Sequence, residues 1–445
     1  MKKTLLLSVV ASTMIMAGGD IAPVEPAVVV PAPVVAPVVA STWKFSGQGV
    51  VYYQTDDVNL NGGGSTTLTG NWAGGNKFGL FERDSSAANV GLQLTATNSN
   101  LIGGIGFGAQ LNGLGTLGLE NSLVSNVMQF ASTPTLDGSA DASNLNGAYV
   151  SQLYLTYGIG NTSMKVGRQE LPKALSPFAY SEDWNVFTNT FDAALVVNTD
   201  LPDTTLVGAW VRSANFNPNG WDNIFNIIAG GSGMNDFNKL NSNDGVWMLT
   251  AQNKSVPNLT LTGSYYFGDN FAANENLHIL WADAQYNAGV ANIGLQGGAV
   301  MCNALPTDTK AFGAKVSSKF DIVNASVAYS HVNNSTLGMF QVAGNTSALY
   351  TDTIANQMAP ISLDNDSNKY VLRADADVLG GNISGAYAYT DFGNAWGTMD
   401  NGNEFDLTYS TKVINDLNVA LSYVYGDFDA IGNGSAIRAV ARYNF

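Results

Sequence analysis

Residues 417–425 read LNVALSYVY, and after a short polar break residues 436–445 read AIRAVARYNF. In the first stretch Leu417, Val419, Leu421, Tyr423 and Tyr425 fall on one side of an extended chain, and Asn418, Ala420 and Ser422 on the other. Side chains alternate faces along a strand, so this pattern predicts a strand with one apolar and one polar face. The last stretch alternates Ile437, Ala439, Ala441 and Tyr443 with Arg438 and Arg442. The asparagine and aspartate just before the first stretch, in Ile414–Asn415–Asp416, are turn residues by chemistry.

The same period recurs backwards along the chain. Leu259, Leu261, Gly263, Tyr265 and Phe267 alternate with Thr260, Thr262 and Ser264, and Val323, Ala325, Val327 and Tyr329 with Asn324, Ser326 and Ser330. In all, the alternation predicts about eighteen strands (16–18), near 43–54, 88–97, 102–110, 148–157, 163–171, 190–198, 204–212, 245–252, 259–267, 277–286, 292–300, 310–318, 323–332, 368–377, 382–391, 403–411, 417–426 and 435–445. No apolar run after Trp43 is long enough for a membrane helix.

Connections decide between a soluble sandwich and a membrane barrel. The segments 97–100, 158–161, 198–203, 253–258, 379–382 and 414–416 are short and rich in turn residues, whereas 55–87, 111–147, 213–244 and 333–367 are long. The two kinds are expected to alternate strictly. Short turns at one rim and long loops at the other belong to transmembrane barrels, and a sandwich has no reason to segregate them. The fold predicted is therefore all-β, a transmembrane antiparallel barrel over residues 43–445. Tyr52, Tyr53, Tyr265, Tyr266, Phe267, Tyr387, Tyr389, Tyr423 and Tyr425 stand near strand ends, where an interfacial aromatic girdle is expected.

Composition agrees. Of 445 residues 45% are hydrophobic and only 12% charged, against about 25% charged in soluble domains. The net charge of −16 argues against a nucleic-acid partner, which needs clustered Lys and Arg. One cysteine, Cys302, excludes an internal disulfide and a cysteine metal cluster, and the two histidines, His278 and His331, lie far apart. Neither histidine stands in a nucleophile–base pattern, so no catalytic residue, enzyme activity or cofactor is expected.

The N-terminus reads as an export signal. Lys2 and Lys3 precede an apolar run from Thr4 to Met16, then small residues, which predicts a signal peptide over 1–19. Residues 20–42 are rich in Pro and Val and read as an extended periplasmic linker.

Strand parity nominates lumen residues. Lys315, Arg373, Glu404, Asp406, Arg438 and Arg442 each oppose an apolar set and are expected to line a water-filled interior. Facing lipid at mid-bilayer would cost about 2–4 kcal/mol for each basic side chain. There they either filter ions or simply pair and keep the lumen wet. Parity leaves Arg168 ambiguous. Asp364, Asp366 and Asn368 place oxygen at alternate positions and are weak calcium candidates, without the Gly and distal Glu of a calcium-binding hand.

The stretch 165–172 reads KVGRQELP and is followed by Ser176–Pro177–Phe178 and Phe191–Asp192–Ala193. With Phe45–Ser46–Gly47–Gln48 and the terminal Ala441–Arg442–Tyr443–Asn444–Phe445, it resembles the OprD-like porins and, more closely, the major outer-membrane porins of epsilonproteobacteria. That resemblance spans the chain from 43 to 445. It implies an 18-stranded, often trimeric outer-membrane diffusion channel for ions and small hydrophilic solutes, embedded among outer-membrane lipid and lipopolysaccharide. It also implies a third long loop folded into the channel. Strand counting puts that loop at 172–189, with Lys173, Glu182 and Asp183 as its charges. If the loop folds inward, its carboxylates favour cations; if not, they are surface charges. The family's ladder of basic residues has no residue-by-residue match here. Tyr443 and Phe445 resemble the terminal signal read by the barrel-assembly machinery. An adhesin or structural barrel with binding loops is the alternative, and a barrel enzyme a more distant one.

Overall fold

The computed structural model describes residues 41–60, 79–82, 86–116, 147–215, 237–241, 244–335, 338–344, 346–357, 366–393, 401–429 and 432–445. The segments expected to be signal peptide and most of the linker lie outside the described residues.

Nineteen strands appear: β1 (Trp43–Leu60), β2 (Ser86–Ile102), β3 (Ile105–Thr116), β4 (Gly147–Ile159), β5 (Thr162–Gln169), β6 (Phe191–Asn198), β7 (Thr204–Asn215), β8 (Phe237–Lys239), β9 (Val246–Asn253), β10 (Leu259–Ala272), β11 (Glu275–Asn287), β12 (Asn292–Met301), β13 (Thr309–Phe320), β14 (Val323–Val332), β15 (Ser367–Val378), β16 (Gly381–Phe392), β17 (Asn401–Ile414), β18 (Leu417–Phe428) and β19 (Gly432–Asn444). Eighteen of them form the wall of a closed antiparallel barrel. The short β8 only extends the pairing at the end of β7. Each wall strand pairs with its neighbour in the chain, and β1 pairs with β19 to close the circle, Val51 opposite Ala441 and Gln54 opposite Arg438. Closure removes both sheet edges, which is why every backbone group of a strand wall can be satisfied without water.

The two faces of the wall follow the alternation. Leu153, Leu249, Leu295, Leu372 and Leu421 point outward and are exposed, each 50–58%. Their sequence neighbours Thr250, Gln296, Arg373 and Ser422 point inward and are buried. An exterior this apolar is stable only against lipid. No helix among the described residues is long and apolar enough to cross a membrane; the crossing elements are the strands.

Four expectations need correction. The turn foreseen at 97–100 lies at Gly103–Gly104, because β2 continues past the polar run to Ile102, which pairs with Ile105. Long and short connections do not alternate strictly: β10 and β11 meet through Ala273–Asn274 alone at the rim that carries the long loops. Both residues adopt positive φ, 50° and 65°, as a two-residue hairpin turn requires. The strand β8 was not foreseen, since three residues carry no period. Finally, Tyr52 and Tyr266 do not join the outer girdle. They are buried inside, because a period of two forbids adjacent tyrosines such as Tyr52 and Tyr53 from sharing a face.

The outer belt instead runs through Phe312, Tyr329 and Tyr370, whose rings lie 5.0–5.7 Å apart in succession. Both histidines belong to it. His278 Nδ1 lies 2.8 Å from the Tyr265 hydroxyl, and His331 packs on Phe312. At the seam Phe445 closes the last rung: Gly47 N donates to Phe445 O at 2.8 Å and Phe445 N to Gly47 O at 3.0 Å. The Phe445 ring lies over Gly47 so closely that a Cβ there would be 2.7 Å from it.

Candidate functional site

The interior is built from the root of the β5–β6 connection. At Gly167 φ is +126°, and a Cβ would stand 2.2 Å from the Leu153 carbonyl oxygen, so only glycine fits. Beside it, Arg168 makes a two-point contact with Asp192, Nε to Oδ1 at 2.8 Å and Nη2 to Oδ2 at 3.2 Å, and its Nη1 donates to Val150 O at 2.9 Å. Its guanidinium lies 3.2 Å from the Phe237 ring centre. Gln169 is buried and its Nε2 donates to Ala193 O at 3.0 Å. The Gly–Arg–Gln core of the stretch 165–172 thus clamps the end of β5 to the start of β6 and fixes where the loop between them leaves the wall.

That loop carries a short 3-10 turn, Lys173–Leu175. Phe178 packs edge-on against Tyr266 of β10 and Trp281 of β11, at 5.8 and 5.4 Å, and its N–H donates to the Tyr266 hydroxyl at 3.1 Å. A few residues on, the chain reaches β19. Arg438 stacks on Trp184 at 3.7 Å and donates to the Trp184 carbonyl. Arg442 donates to Val186 O at 2.7 Å and Asn185 O at 2.8 Å. Phe187 then presses on Gly91 of β2, where a Cβ would lie 2.5 Å from its ring. One segment touches the inner face at β10–β11 and again at β19 and β2, so it runs through the barrel interior.

A second segment, 338–357, lies against it, although the sequence placed 333–367 outside. Val342 N donates to Phe178 O at 2.9 Å. The Glu182 carboxylate accepts from Gln341 Nε2 at 2.5 Å, from Thr346 N at 3.0 Å and from the Thr346 hydroxyl. Met339, Phe340, Val342 and Ala343 are buried in one cluster with Leu171, Phe178 and Trp281. That apolar run, in a loop assigned to the outside, was the available signal.

Tyr350 of this segment is seated on β12, where a Cβ on Gly294 would come within 2.8 Å of its hydroxyl. The hydroxyl donates to Asp283 and accepts from Gln285 Nε2 at 2.6 Å. Lys315 Nζ lies 4.7 Å from the ring centre, and Arg373 Nη1 donates to Tyr350 O at 2.7 Å. Next, Thr353 donates to Glu404 Oε2 at 2.7 Å, while Lys369 Nζ, unmarked in the sequence, bonds both groups, at 2.5 Å to Glu404 and 2.9 Å to Thr353. Ile354 N points at Asp406 Oδ2 at 3.4 Å.

Of the six residues nominated by parity, all turn inward. Lys315, Arg373, Glu404, Asp406 and Arg438 are nevertheless buried, with exposures of 1–6%, and Arg442 is half-buried. They were expected to face water; the two inward segments cover them. The charges of 172–189 divide. Glu182 is the buried link just described. Lys173 Nζ stands 5.1 Å from the Tyr180 ring. Asp183 is half-buried, and burial raises its carboxyl above the ordinary carboxylate range while Arg442 and Arg438 draw it back down.

No group of three or more His, Cys, Asp or Glu side chains gathers among the described residues. Asn368 Oδ1 is engaged by the Tyr329 hydroxyl at 2.9 Å and faces His331 Nδ1 at 3.1 Å, and Asp364 lies outside the described residues.

No family model and no curated protein sequence matches the chain. Solved structures do. That of Pseudomonas aeruginosa OpdK with vanillate superposes with a TM-score of 0.67 at 15% identity, over 91% of this chain and 98% of that one. Pseudomonas aeruginosa OccK8 (OprE) gives 0.65 at 16%, and OccK9 (OpdG) 0.64 at 16%, each over the same shares. At such identities the likeness establishes the shared barrel fold.

Proposed function

We propose that this protein is an outer-membrane porin, through which ions and small hydrophilic solutes diffuse passively. The observation that carries this reading is an exterior of exposed apolar side chains around an inward face of polar and charged ones, in a closed barrel too wide for side chains alone to fill. Two loop segments cross that space; side chains of a small barrel would fill it unaided. The segment 172–189, together with 338–357, narrows the passage. Asp183 and the exposed Glu170, with the acidic balance of the chain, give a mild preference for cations. Export by the N-terminal signal, assembly through Tyr443 and Phe445, association with lipopolysaccharide and a homotrimeric state complete the proposal.

The test is conductance of the purified, refolded full chain in a planar lipid bilayer, with the reversal potential read under a KCl gradient. Stepwise openings with a cation-signed reversal potential support the reading. Verified folded barrel that passes no current rejects the open pore and turns attention to ligand binding by the long loops.

A further inference from the structure

The inner wall divides by chemistry. On β15–β17 the charged side chains Lys369, Arg373, Glu404 and Asp406 are buried beneath the segment 346–357 and paired with it or with one another. On β1–β4 the inward side chains include a run of carboxamides. Gln48, Gln93, Asn112 and Tyr149 stand opposite one another on four successive strands. They form one hydrogen-bonded rung: Gln48 Nε2 donates to Gln93 Oε1 at 2.8 Å, Gln93 Nε2 to Asn112 Oδ1 at 2.9 Å, and Asn112 Nδ2 to the Tyr149 hydroxyl at 3.1 Å. A second rung joins Thr95, Gln110 and Gln152, with Gln110 Nε2 donating to Thr95 Oγ1 at 3.0 Å and Gln152 Nε2 to Gln110 Oε1 at 3.2 Å. Gln48, Thr95 and Gln152 keep surface toward the lumen, whereas Gln93, Gln110 and Asn112 lie behind them. Arg442 and Glu170 flank the rungs, on Gln48 and Gln152.

We infer that this carboxamide wall is the track along which solutes pass, and that it selects neutral, hydroxyl-rich molecules such as sugars and polyols. The inference rests on the porin reading and deepens it. A carboxamide has two donor hydrogens and two acceptor lone pairs, and the rungs use only part of them. Gln48 keeps one donor hydrogen and one acceptor lone pair. Gln152, whose two donor hydrogens serve Gln110 and Glu170, keeps its acceptor oxygen, and rung neighbours repeat at the strand spacing of about 4.8 Å. A hydroxyl is likewise donor and acceptor, so a polyhydroxylated solute can exchange its hydration for the wall hydroxyl by hydroxyl. An ion of like size must shed water against carboxamides there, while the flanking Arg442 and Glu170 are already engaged, by Asn185, Val186 and Gln48 and by Thr188 and Gln152.

Proteoliposomes of the full chain test this by swelling in isotonic hexose, against swelling in gluconate or N-methylglucamine salts of similar size, with KCl conductance measured on the same preparation. Hexose is expected to enter several-fold faster than either ion. In Gln48→Met and Gln152→Met, which keep volume and remove the hydrogen bonds, the ratio of hexose flux to KCl conductance is expected to fall about fivefold. Hexose added to the unaltered channel should also raise its current noise in a concentration-dependent way, a readout that needs no variant. KCl conductance with hexose no faster than the ions, no hexose-induced noise, or a ratio untouched by folded variants each overturns the inference and leaves the porin reading standing. Absence of KCl conductance overturns both.

Discussion

The carboxylate of Glu182 and the backbone N–H of Thr346, 164 residues apart in the chain, meet at 3.0 Å inside the barrel. This contact, with those of Gln341 and the Thr346 hydroxyl on the same oxygen, joins two loops that leave the wall at β5 and β14. The pair acts as one crossbar, and its ends rest on Gly91 of β2 and Gly294 of β12. Counting wall strands alone, those two stand half a turn apart, so the crossbar spans the interior.

Removing the link should therefore loosen both loops together. Glu182→Ala loses three hydrogen bonds to a charged group, each worth about 1.5–3 kcal/mol. Single-channel records are expected to show larger mean conductance and new substates, with the fold intact by heat-modified gel mobility. Records indistinguishable from the unaltered channel would mean the crossbar does not depend on this contact.

The buried pair Lys369–Glu404 gives a sharper expectation. Each side chain is at most 1% exposed, and the bond is 2.5 Å. Glu404→Ala removes the carboxylate in contact with the buried Lys369 ammonium, a change that costs about 3–5 kcal/mol. The double variant Lys369→Met with Glu404→Leu removes both charges and should recover most of the loss. Urea unfolding in liposomes, followed by tryptophan fluorescence, measures both, and a double variant no better than the single one would count against the pairing account.

Gly294 is the seat of Tyr350. Gly294→Val puts a branched side chain into the space of the Tyr350 hydroxyl, which would lie only 2.8 Å from its Cβ. The expected result is displacement of the segment 346–357 and exposure of Lys315, Arg373 and Glu404 to the lumen. Ion selectivity measured by reversal potential should change, while Gly263→Val, at a strand glycine with open space around its Cβ position, should leave it as it was.

The pH dependence follows from Asp183. Burial holds its carboxyl above the ordinary value of about 3.9 despite Arg442 and Arg438. Its negative charge therefore disappears on acidification sooner than that of an exposed carboxylate. The preference for cations should weaken as pH falls through that range. Asp183→Asn should lack this acid step, and an identical pH profile in both proteins would remove Asp183 from the account.

At the seam, deletion of Phe445 removes two backbone hydrogen bonds to Gly47 and the ring that covers it. Assembly into the heat-modifiable folded form should slow. An alanine added after Phe445 leaves both bonds and the ring in place, and should fold at the rate of the unaltered chain. Equal folding rates for the deleted and full chains would confine Phe445 to recognition before closure.

The wall was legible in the sequence because its code is local. Period two alone marks eighteen strands, and the stretch 417–425 already shows which side of β18 faces lipid. Parity also turned Arg373, Glu404, Asp406 and Arg438 inward, since facing them outward would strand charge in hydrocarbon. What parity could not supply was their cover. Glu182 meets Thr346, Tyr350 meets Gly294, and Lys369 meets Glu404 and Thr353 only after the barrel has closed and both loops have entered it. Those contacts join residues with no periodic relation, between loops whose apolar and polar residues follow no fixed spacing. Alternation determined the barrel and its two faces; only the tertiary structure decided that the charged side chains of β15–β17 lie beneath the segment 346–357 while Gln48, Thr95 and Gln152 keep surface toward the lumen.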